Sequence, residues 1–495
     1  MQALKTLLAS IGISENGIPE AEMPIHDIVY DSRKAREGVM FVCLVGAVVD
    51  GHRFAASAYE KGARVFVCEK PLSLPADALV FSVENTRRAL ASLSAAFYDH
   101  PEKKLRVIGV TGTKGKSTIC EMVRHILCKN GLPAASIGTI GVRIGNTLIP
   151  TGNTTPESYE LFRIFADMVE KGIQYAVIEV SSQGVKSDRI FGIHFFAAVM
   201  TNLSEDHIGG AEHPDFDDYK RCKKELFKRA DHAFFNADDP YFEEFYDSAL
   251  CPKQTYSIKE KADFYAKAIV PTVTEKGFGS SFTLIHENFH SEGFVPFPGV
   301  FSVSNAIAAV AVANLAGIPT EKALESLPCV RVGGRFEIVP TDIPDVTFVI
   351  DYAHNGESLS AALKALRVYR PNRLICLFGS VGGRTEIRRR ELGIAASAYA
   401  DLSILTSDNP DKEPAMDIIS DIATYMQGAD YVSVPDRKEA IVYAVSIAKP
   451  GDIVLLAGKG HETYQLIDGK KIPFSERKIL LEAANEVALI EKSNL

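Results

Sequence analysis

The spacing of apolar residues changes character along the chain, and each change marks a different stretch of structure. At the N-terminus Leu4, Leu7, Leu8 and Ile11 recur at helical spacing. The short runs "DIVY", "VMFVCLVG", "ARVFVCE" and "ALVFSV" then predict strands, with "HRFAASAYEKGA" as a helix between two of them. The charged, proline-containing segment "YDHPEKKL" reads as a linker. From Leu105 the pattern becomes apolar strand, polar turn, helix: "LRVIGV" leads into "TGTKGKST", "YAVIEV" into "SSQG", and "FAAVMTNL" into "SEDH". Near residue 331 a further set begins, "VTFVIDYAHN", "RLICLFGS", "DLSILTSDNP" and "DIVLLAGKGHE", separated by helical stretches such as "GESLSAALKALRVY". Nearly continuous apolar strands that end in polar turns predict parallel sheets covered on both faces. In such sheets ligands gather at the carboxyl ends of the strands. The prediction is three α/β domains: an N-terminal one over 1–98, a central P-loop parallel-sheet domain over 99–330, and a Rossmann-like domain over 331–495.

Composition narrows the function classes. The chain has 495 residues, 46% of them hydrophobic and 24% charged, which suits a globular protein of several cores. A formal net charge of -9 argues against a nucleic-acid or anionic-membrane surface, so cations for any phosphate must be concentrated locally. Eight cysteines with no C-x-x-C pair exclude zinc-ribbon and thioredoxin-like readings and point to free thiols in a reducing compartment. With no signal-peptide pattern and no apolar stretch approaching ~18 residues, the sequence predicts a cytoplasmic protein without membrane insertion.

Candidate chemistry sits in the polar turns. "TGTKGKST" (111–118) has the P-loop ending Gly115-Lys116-Ser117, but Val110 stands where the strict pattern needs glycine, and Gly112 makes the loop shorter. Backbone N–H groups at Gly112 and Gly115 can converge on an anion, with Lys116 as a point charge and Ser117 as a Mg²⁺ ligand. Glu179 ends the next strand and His207 follows "TNLSED". One carboxylate and one hydroxyl beside phosphates are sufficient for a Mg²⁺ ion. Taken singly, other turns have plain structural readings: Thr155 before Pro156 as a helix N-cap, "GGRFE" as a turn, "DYAHN" as an Asx turn, His207 as a hydrogen-bonder. Their joint occurrence, each at a strand end, argues against those readings.

Together these motifs resemble the Mur ligase family, ATP-dependent amide-forming enzymes of peptidoglycan precursor synthesis. The resemblance runs the whole chain: "YDSRKAREGVMFVCLVG…DGHRF" looks like the uridine-binding domain of the family's tripeptide-synthetase branch. It is followed by "VTGTKGKST", "NTTPE", "EVSSQG", "TNLSEDHIG", "GRFE", "DYAHN", "DNP" and "GKGHE". The resemblance implies that Gly112, Thr113, Lys114, Gly115, Lys116, Ser117 and Thr118 bind ATP, with Asn305 at the adenine and Arg335, Asp351 and His354 reaching the nucleotide. It implies two Mg²⁺ ions held by Ser117, Glu179, His207 and a carbamylated lysine (N6-carboxylysine). Spacing from Tyr219 assigns that lysine to Lys223, with Lys224 beside it. Ser32 would contact the uracil nucleotide, and Thr154, Thr155, Ser181 and Arg189 the muramoyl-dipeptide. Arg384, Asp408, Asn409, Asp411, Gly458 and Glu462 would contact the incoming amino acid.

The chemistry so implied is attack of the D-glutamyl carboxylate of UDP-MurNAc-L-Ala-D-Glu on the γ-phosphate, then attack of a free amino acid's amine on the acyl phosphate. A monomer with a movable C-terminal lid is the implied assembly. Diaminopimelate-adding members carry D-N-P-R, but here the stretch is "DNPDKEP" and Asp411 replaces the arginine. A carboxylate there favours a distal ammonium, so the sequence reading puts L-lysine first, and Gln183 in "EVSSQG" points the same way. Diaminopimelate or another diamino acid comes second, and Asp411 as a cap of the following helix is the structural alternative. Two remoter readings are a folylpolyglutamate-type ligase, opposed by the "DSR" segment, and a non-catalytic nucleotide-binding paralogue. The latter is opposed by intact Lys116, Glu179, His207 and Lys223.

Overall fold

A computed structural model describes residues 1–493 apart from 17, 47–48, 206–208, 210–211, 275–276 and 384–385. Packing divides it into two compact units, Met1–Phe264 with Ala308–Ala323, and Tyr265–Ile307 with Leu324–Leu495. The fold is α/β with parallel sheets, as the strand pattern predicts.

The first unit opens with a parallel sheet of Asp27–Val29, Val39–Val42, Val65–Cys68 and Leu79–Ser82, in that order. One face packs on helices Leu4–Ser10 and Thr86–Phe97, the other on a small cluster around Phe41 and Phe66. The stretch expected as one helix over 52–63 splits into a 3₁₀ turn at Gly51–Phe54 and a short helix at Ala55–Glu60. Asp50 accepts from His52 N and caps the 3₁₀ turn first. In the central sheet the parallel strands run Ala134–Gly138, Tyr175–Glu179, Arg106–Thr111, Ala197–Met200, Ala233–Asn236, Lys253–Ser257. Chain direction across the sheet reverses at Arg106–Thr111, the first of these strands, so its carboxyl end is a topological switch point. Every residue of that strand except Arg106 is buried. Helix Ser158–Glu170 covers one face by burying Leu161, Phe162, Phe165 and Met168, each contributing about 1.5–3 kcal/mol. Its N-cap is Glu157 rather than Thr155, whose hydroxyl is engaged elsewhere. Against the edge of this sheet, Gly141–Ile144 and Thr147–Ile149 add an antiparallel hairpin that the apolar pattern does not announce.

The second unit contains an antiparallel pair, Gly277–His286 with Phe289–Val295, also absent from the sequence reading. Its main sheet runs Glu337–Val339, Thr347–Asp351, Ile453–Ala457, Leu374–Phe378, Leu402–Leu405, Tyr431–Ser433, antiparallel at the first pair and parallel after it. The predicted helix appears as Gly356–Arg367, with a capping box at Asn355 and Ser358. The strand ends again carry the polar motifs.

Candidate active site

The phosphate-loop candidate leaves its strand at Gly112, where φ is +143°, and enters helix Lys116–Lys129 through Gly115 at φ +86°. A Cβ at Gly112 would lie 1.9 Å from Thr201 Oγ1, so only glycine allows this approach. The loop is fastened to the end of strand Ala197–Met200. Thr113 N donates to Asn202 O at 2.9 Å, Lys114 N to Asn202 Oδ1 at 2.9 Å, and Thr201 Oγ1 to Lys114 O at 2.6 Å. Lys116 Nζ donates back to Gly112 O at 3.0 Å and Thr113 O at 2.9 Å. Lys223, on helix Phe216–Lys224, is 2% exposed and also reaches Gly112 O, at 2.8 Å. Its ammonium stands 4.4 Å over the Tyr219 ring, and Tyr219 OH meets Thr113 Oγ1 at 3.2 Å. Lys224 instead turns to Glu244. A half-buried and a buried lysine thus converge on one carbonyl of the loop.

Glu179 is 2% exposed at the adjacent strand end. Its carboxylate accepts from Thr139 N at 2.8 Å and Thr139 Oγ1 at 3.2 Å. A Cβ on Gly138 would meet Glu179 Oε1 at 2.0 Å, so the glycine makes room for the carboxylate. From here the network spreads: Thr139 Oγ1 to Thr154 Oγ1 at 3.0 Å, Thr155 Oγ1 to Glu179 O at 2.8 Å and to Ser181 Oγ at 3.1 Å. Arg189 closes it by donating to Thr155 O at 2.9 Å. Thr154, Thr155, Glu179, Ser181 and Arg189, far apart in sequence, therefore form one constellation. Ser117 and Glu179 are buried and carry hard oxygen atoms of the kind Mg²⁺ prefers. His207 lies outside the described residues. Sequence reasoning passed over His213, which is buried with Nδ1 2.7 Å from Asp218 Oδ2 and Nε2 2.9 Å from Ser182 Oγ. Burial alone would raise the Asp218 carboxyl, but bonds from Lys186, His213 and Arg221 hold it well below the ordinary range. Lys186 and Arg221 already neutralise Asp218. Ser32 begins the 3₁₀ turn Ser32–Lys34, and Asp31 caps it; bonding to Arg33 lowers the Asp31 carboxyl to about 2.

In the second unit Asp351 ends its strand 7% exposed, accepting from Phe336 N and Ala353 N, both at 2.8 Å. Burial nevertheless raises its carboxyl above the ordinary value, against the pull of Arg335. The Arg335 guanidinium stands 4.5 Å over the Tyr352 ring, which His354 and His461 flank at 4.7 and 4.9 Å. Asn305 is buried on helix Val300–Leu315.

The amino-acid candidates gather around a residue the sequence reading missed, Lys459, which is fully buried. Its Nζ donates to Glu462 Oε2 at 2.8 Å and Asn409 Oδ1 at 3.0 Å, with Asp408 Oδ1 at 3.5 Å. Gly458, at φ +112°, passes 3.2 Å from Asp408 Oδ2 measured from its would-be Cβ. Arg437, also fully buried, ties the two strand ends together, donating to Ser407 O at 3.0 Å, Ala457 O at 2.7 Å and Glu476 Oε1 at 2.8 Å. Arg384 lies outside the described residues. Asp411 departs from both sequence readings. It adopts a left-handed φ of +53°, and its Oδ1 accepts from Gly469 N at 2.7 Å, closing the turn of hairpin Tyr464–Pro473. Helix Ala415–Thr424 is instead preceded by Pro414, with no side-chain cap. One oxygen of the Asp411 carboxylate therefore fastens the hairpin.

Comparison with known proteins agrees with this geometry. Three family models match in chain order: Mur ligase family catalytic domain over 24–98, Mur ligase middle domain over 110–313, and Mur ligase glutamate ligase domain over 334–460. The UDP-N-acetylmuramoyl-L-alanyl-D-glutamate–2,6-diaminopimelate ligase 1 of Clostridium acetobutylicum is 40% identical over 471 residues, 94% of this chain and 96% of its own. The ligase of that name from Clostridium perfringens is 37% identical over 468 residues, covering 93% and 95%. A solved structure bearing the same ligase name superposes with a TM-score of 0.70 at 28% identity, covering 98% of this chain and 99% of that one. The MurF ligase of Thermotoga maritima, solved with ADP, shares the fold at a TM-score of 0.63 and 19% identity, over 94% and 99% of the two chains. A phosphate loop fastened to its neighbouring strand, a buried lysine reaching its Gly112 carbonyl and relatives matched end to end leave one conclusion: the chain belongs to the Mur ligase family, in its MurE branch, and is an ATP-dependent amide-forming ligase.

Proposed function

We propose that this ligase joins a diamino acid, diaminopimelate, to the D-glutamyl carboxylate of UDP-MurNAc-L-Ala-D-Glu. The observation that carries the reading is the convergence of Lys116 and Lys223 on Gly112 O beside the Glu179 constellation. A carboxylate approaching a phosphate brings anion to anion, and Lys116 at this strand end opposes that charge directly, while Lys223 would do so as a metal ligand. In the first step the D-glutamyl carboxylate oxygen attacks the γ-phosphorus and ADP leaves. In the second the amine attacks the acyl carbon and inorganic phosphate leaves. Ser117, Glu179, His207 and a carbamylated Lys223 would hold Mg²⁺, which when bound supplies further charge neutralisation. Carbamylation would also turn the repulsion between Lys223 and Lys116 into attraction. Residues 1–98 would seat the uridine end through Ser32, and Thr154, Thr155, Ser181 and Arg189 the dipeptide. Asp408, Asn409, Gly458, Glu462 and Arg384 would serve the amino acid, Arg335, Asp351, His354 and Asn305 the nucleotide.

Diaminopimelate is favoured by the names of the similar ligases and by the engagement of Asp411 with Gly469. L-Lysine is the second reading, supported by the absence of arginine after Pro410. Phosphate release by the purified enzyme with ATP, Mg²⁺ and UDP-MurNAc-L-Ala-D-Glu, with each amino acid in turn, tests both. Faster release with meso-diaminopimelate supports the first reading; faster release with L-lysine replaces it by the second.

A further inference from the structure

Resting on that functional reading, we infer that Arg87, from the N-terminal sheet domain, is a positioning residue for the muramoyl-dipeptide. Its effect is to keep Glu157 from closing onto Arg189. Arg87 lies in the first turn of helix Thr86–Phe97 and reaches in two directions. Its Nε donates to Val45 O at 3.1 Å, on the turn that follows strand Val39–Val42, and its guanidinium meets Glu157 Oε2 at 3.1 Å. Arg189 Nε stands 3.6 Å from the same oxygen, outside hydrogen-bond distance. That N–H is buried and has no hydrogen-bond partner among the described residues. The other Glu157 oxygen accepts from Ser158 N at 3.1 Å, and Glu160 is occupied by the Tyr30 hydroxyl at 2.8 Å. The residue before Arg189 is gripped from the same helix start: Asn85 Nδ2 and Arg88 Nε reach the Asp188 carboxylate at 3.1 and 3.2 Å.

A carboxylate between two guanidiniums is shared according to distance, and here Arg87 holds the nearer contact. Without Arg87, Glu157 has one cation left and can close on Arg189 as a bidentate pair. Arg189 would then be neutralised internally, and a carboxylate-bearing dipeptide would have to displace Glu157 to reach it. The uridine-side turn at Val45 and the dipeptide-side Arg189 are thus linked through one arginine.

The test is steady-state kinetics of the full-length enzyme with UDP-MurNAc-L-Ala-D-Glu. R87M is expected to raise KM for this substrate about tenfold or more, the scale of a lost charge-assisted bond. KM for ATP and for the amino acid should stay unchanged. E157Q keeps the acceptor for Ser158 N and removes the competing charge. Alone it should leave KM unchanged or lower it, and added to R87M it should restore most of the loss, a rescue that a merely structural Arg87 would not give. Should R87M fail to fold, the single E157Q variant decides, since a raised KM there overturns the inference. An active wild type whose R87M variant keeps its KM, or whose double variant is no better than R87M, overturns the inference alone. A wild type that does not turn over UDP-MurNAc-L-Ala-D-Glu overturns the functional reading and the inference with it.

Discussion

The two units each place a buried lysine at the carboxyl end of a parallel sheet, but they surround it in opposite ways. In the first, Lys223 and Lys116 share the Gly112 carbonyl oxygen at the end of the phosphate loop. In the second, Lys459 sits among Asp408, Asn409 and Glu462. Its charge is already matched, and what remains is a polar, partly acidic surface suited to an amine and a carboxylate together. The same residue type thus meets a backbone carbonyl of the phosphate loop in one place and an acidic cluster in the other. The neighbours decide which, as the local dielectric is low in both.

The largest expected effect breaks the first site. Lys116→Ala should lower kcat by about 10²–10³-fold, the scale of losing one preorganised charge at a developing oxyanion, measured by phosphate release at saturating substrates. Lys459→Met breaks the second. Leaving Asp408 and Glu462 without their buried cation should cost about 3–5 kcal/mol of stability, read from urea melts, and raise KM for the amino acid while KM for ATP holds. Asp411→Ala sharpens the contrast by touching neither lysine: about 1 kcal/mol should be lost with the Gly469 bond, and the order of preference among amino acids should not change. A change of preference would return Asp411 to the substrate site. The smallest effect lies outside both clusters. Asp31, lowered from 3.8 to about 2, contributes stability that is present above pH 3.8 and lost as pH falls toward 2. Asp31→Asn should flatten that part of the stability profile and leave turnover at neutral pH intact.

Much of this was legible in the sequence because the functional strands are buried on both faces. Runs such as "RVIGV" and "IVLLA" are then continuously apolar and end abruptly in polar turns. The hairpins at Gly141–Ile149 and Gly277–Val295 escaped because their strands are short or half-exposed, so no apolar run marks them. The cap reading of Thr155, already outweighed by the joint pattern, also fails in the structure, where its hydroxyl goes to Glu179 O and the helix is capped by Glu157. Spacing chose Lys223 over Lys224, and only the structure shows that one faces Gly112 and the other Glu244. Lys459 was hidden because a lysine letter carries no burial. Asp411 shows a related limit of spelling: its position in "DNPD" says nothing of a left-handed backbone that turns one carboxylate oxygen to Gly469.

The most direct test follows the oxygen that joins the reactants. UDP-MurNAc-L-Ala-D-Glu labelled with ¹⁸O in the D-glutamyl carboxylate is turned over with ATP and diaminopimelate, and the released inorganic phosphate is analysed by mass spectrometry. Attack of that carboxylate on the γ-phosphate predicts one labelled oxygen in each phosphate released with the amide product. Unlabelled phosphate alongside the same product would contradict the acyl-phosphate route and the role given to the Lys116–Lys223 site.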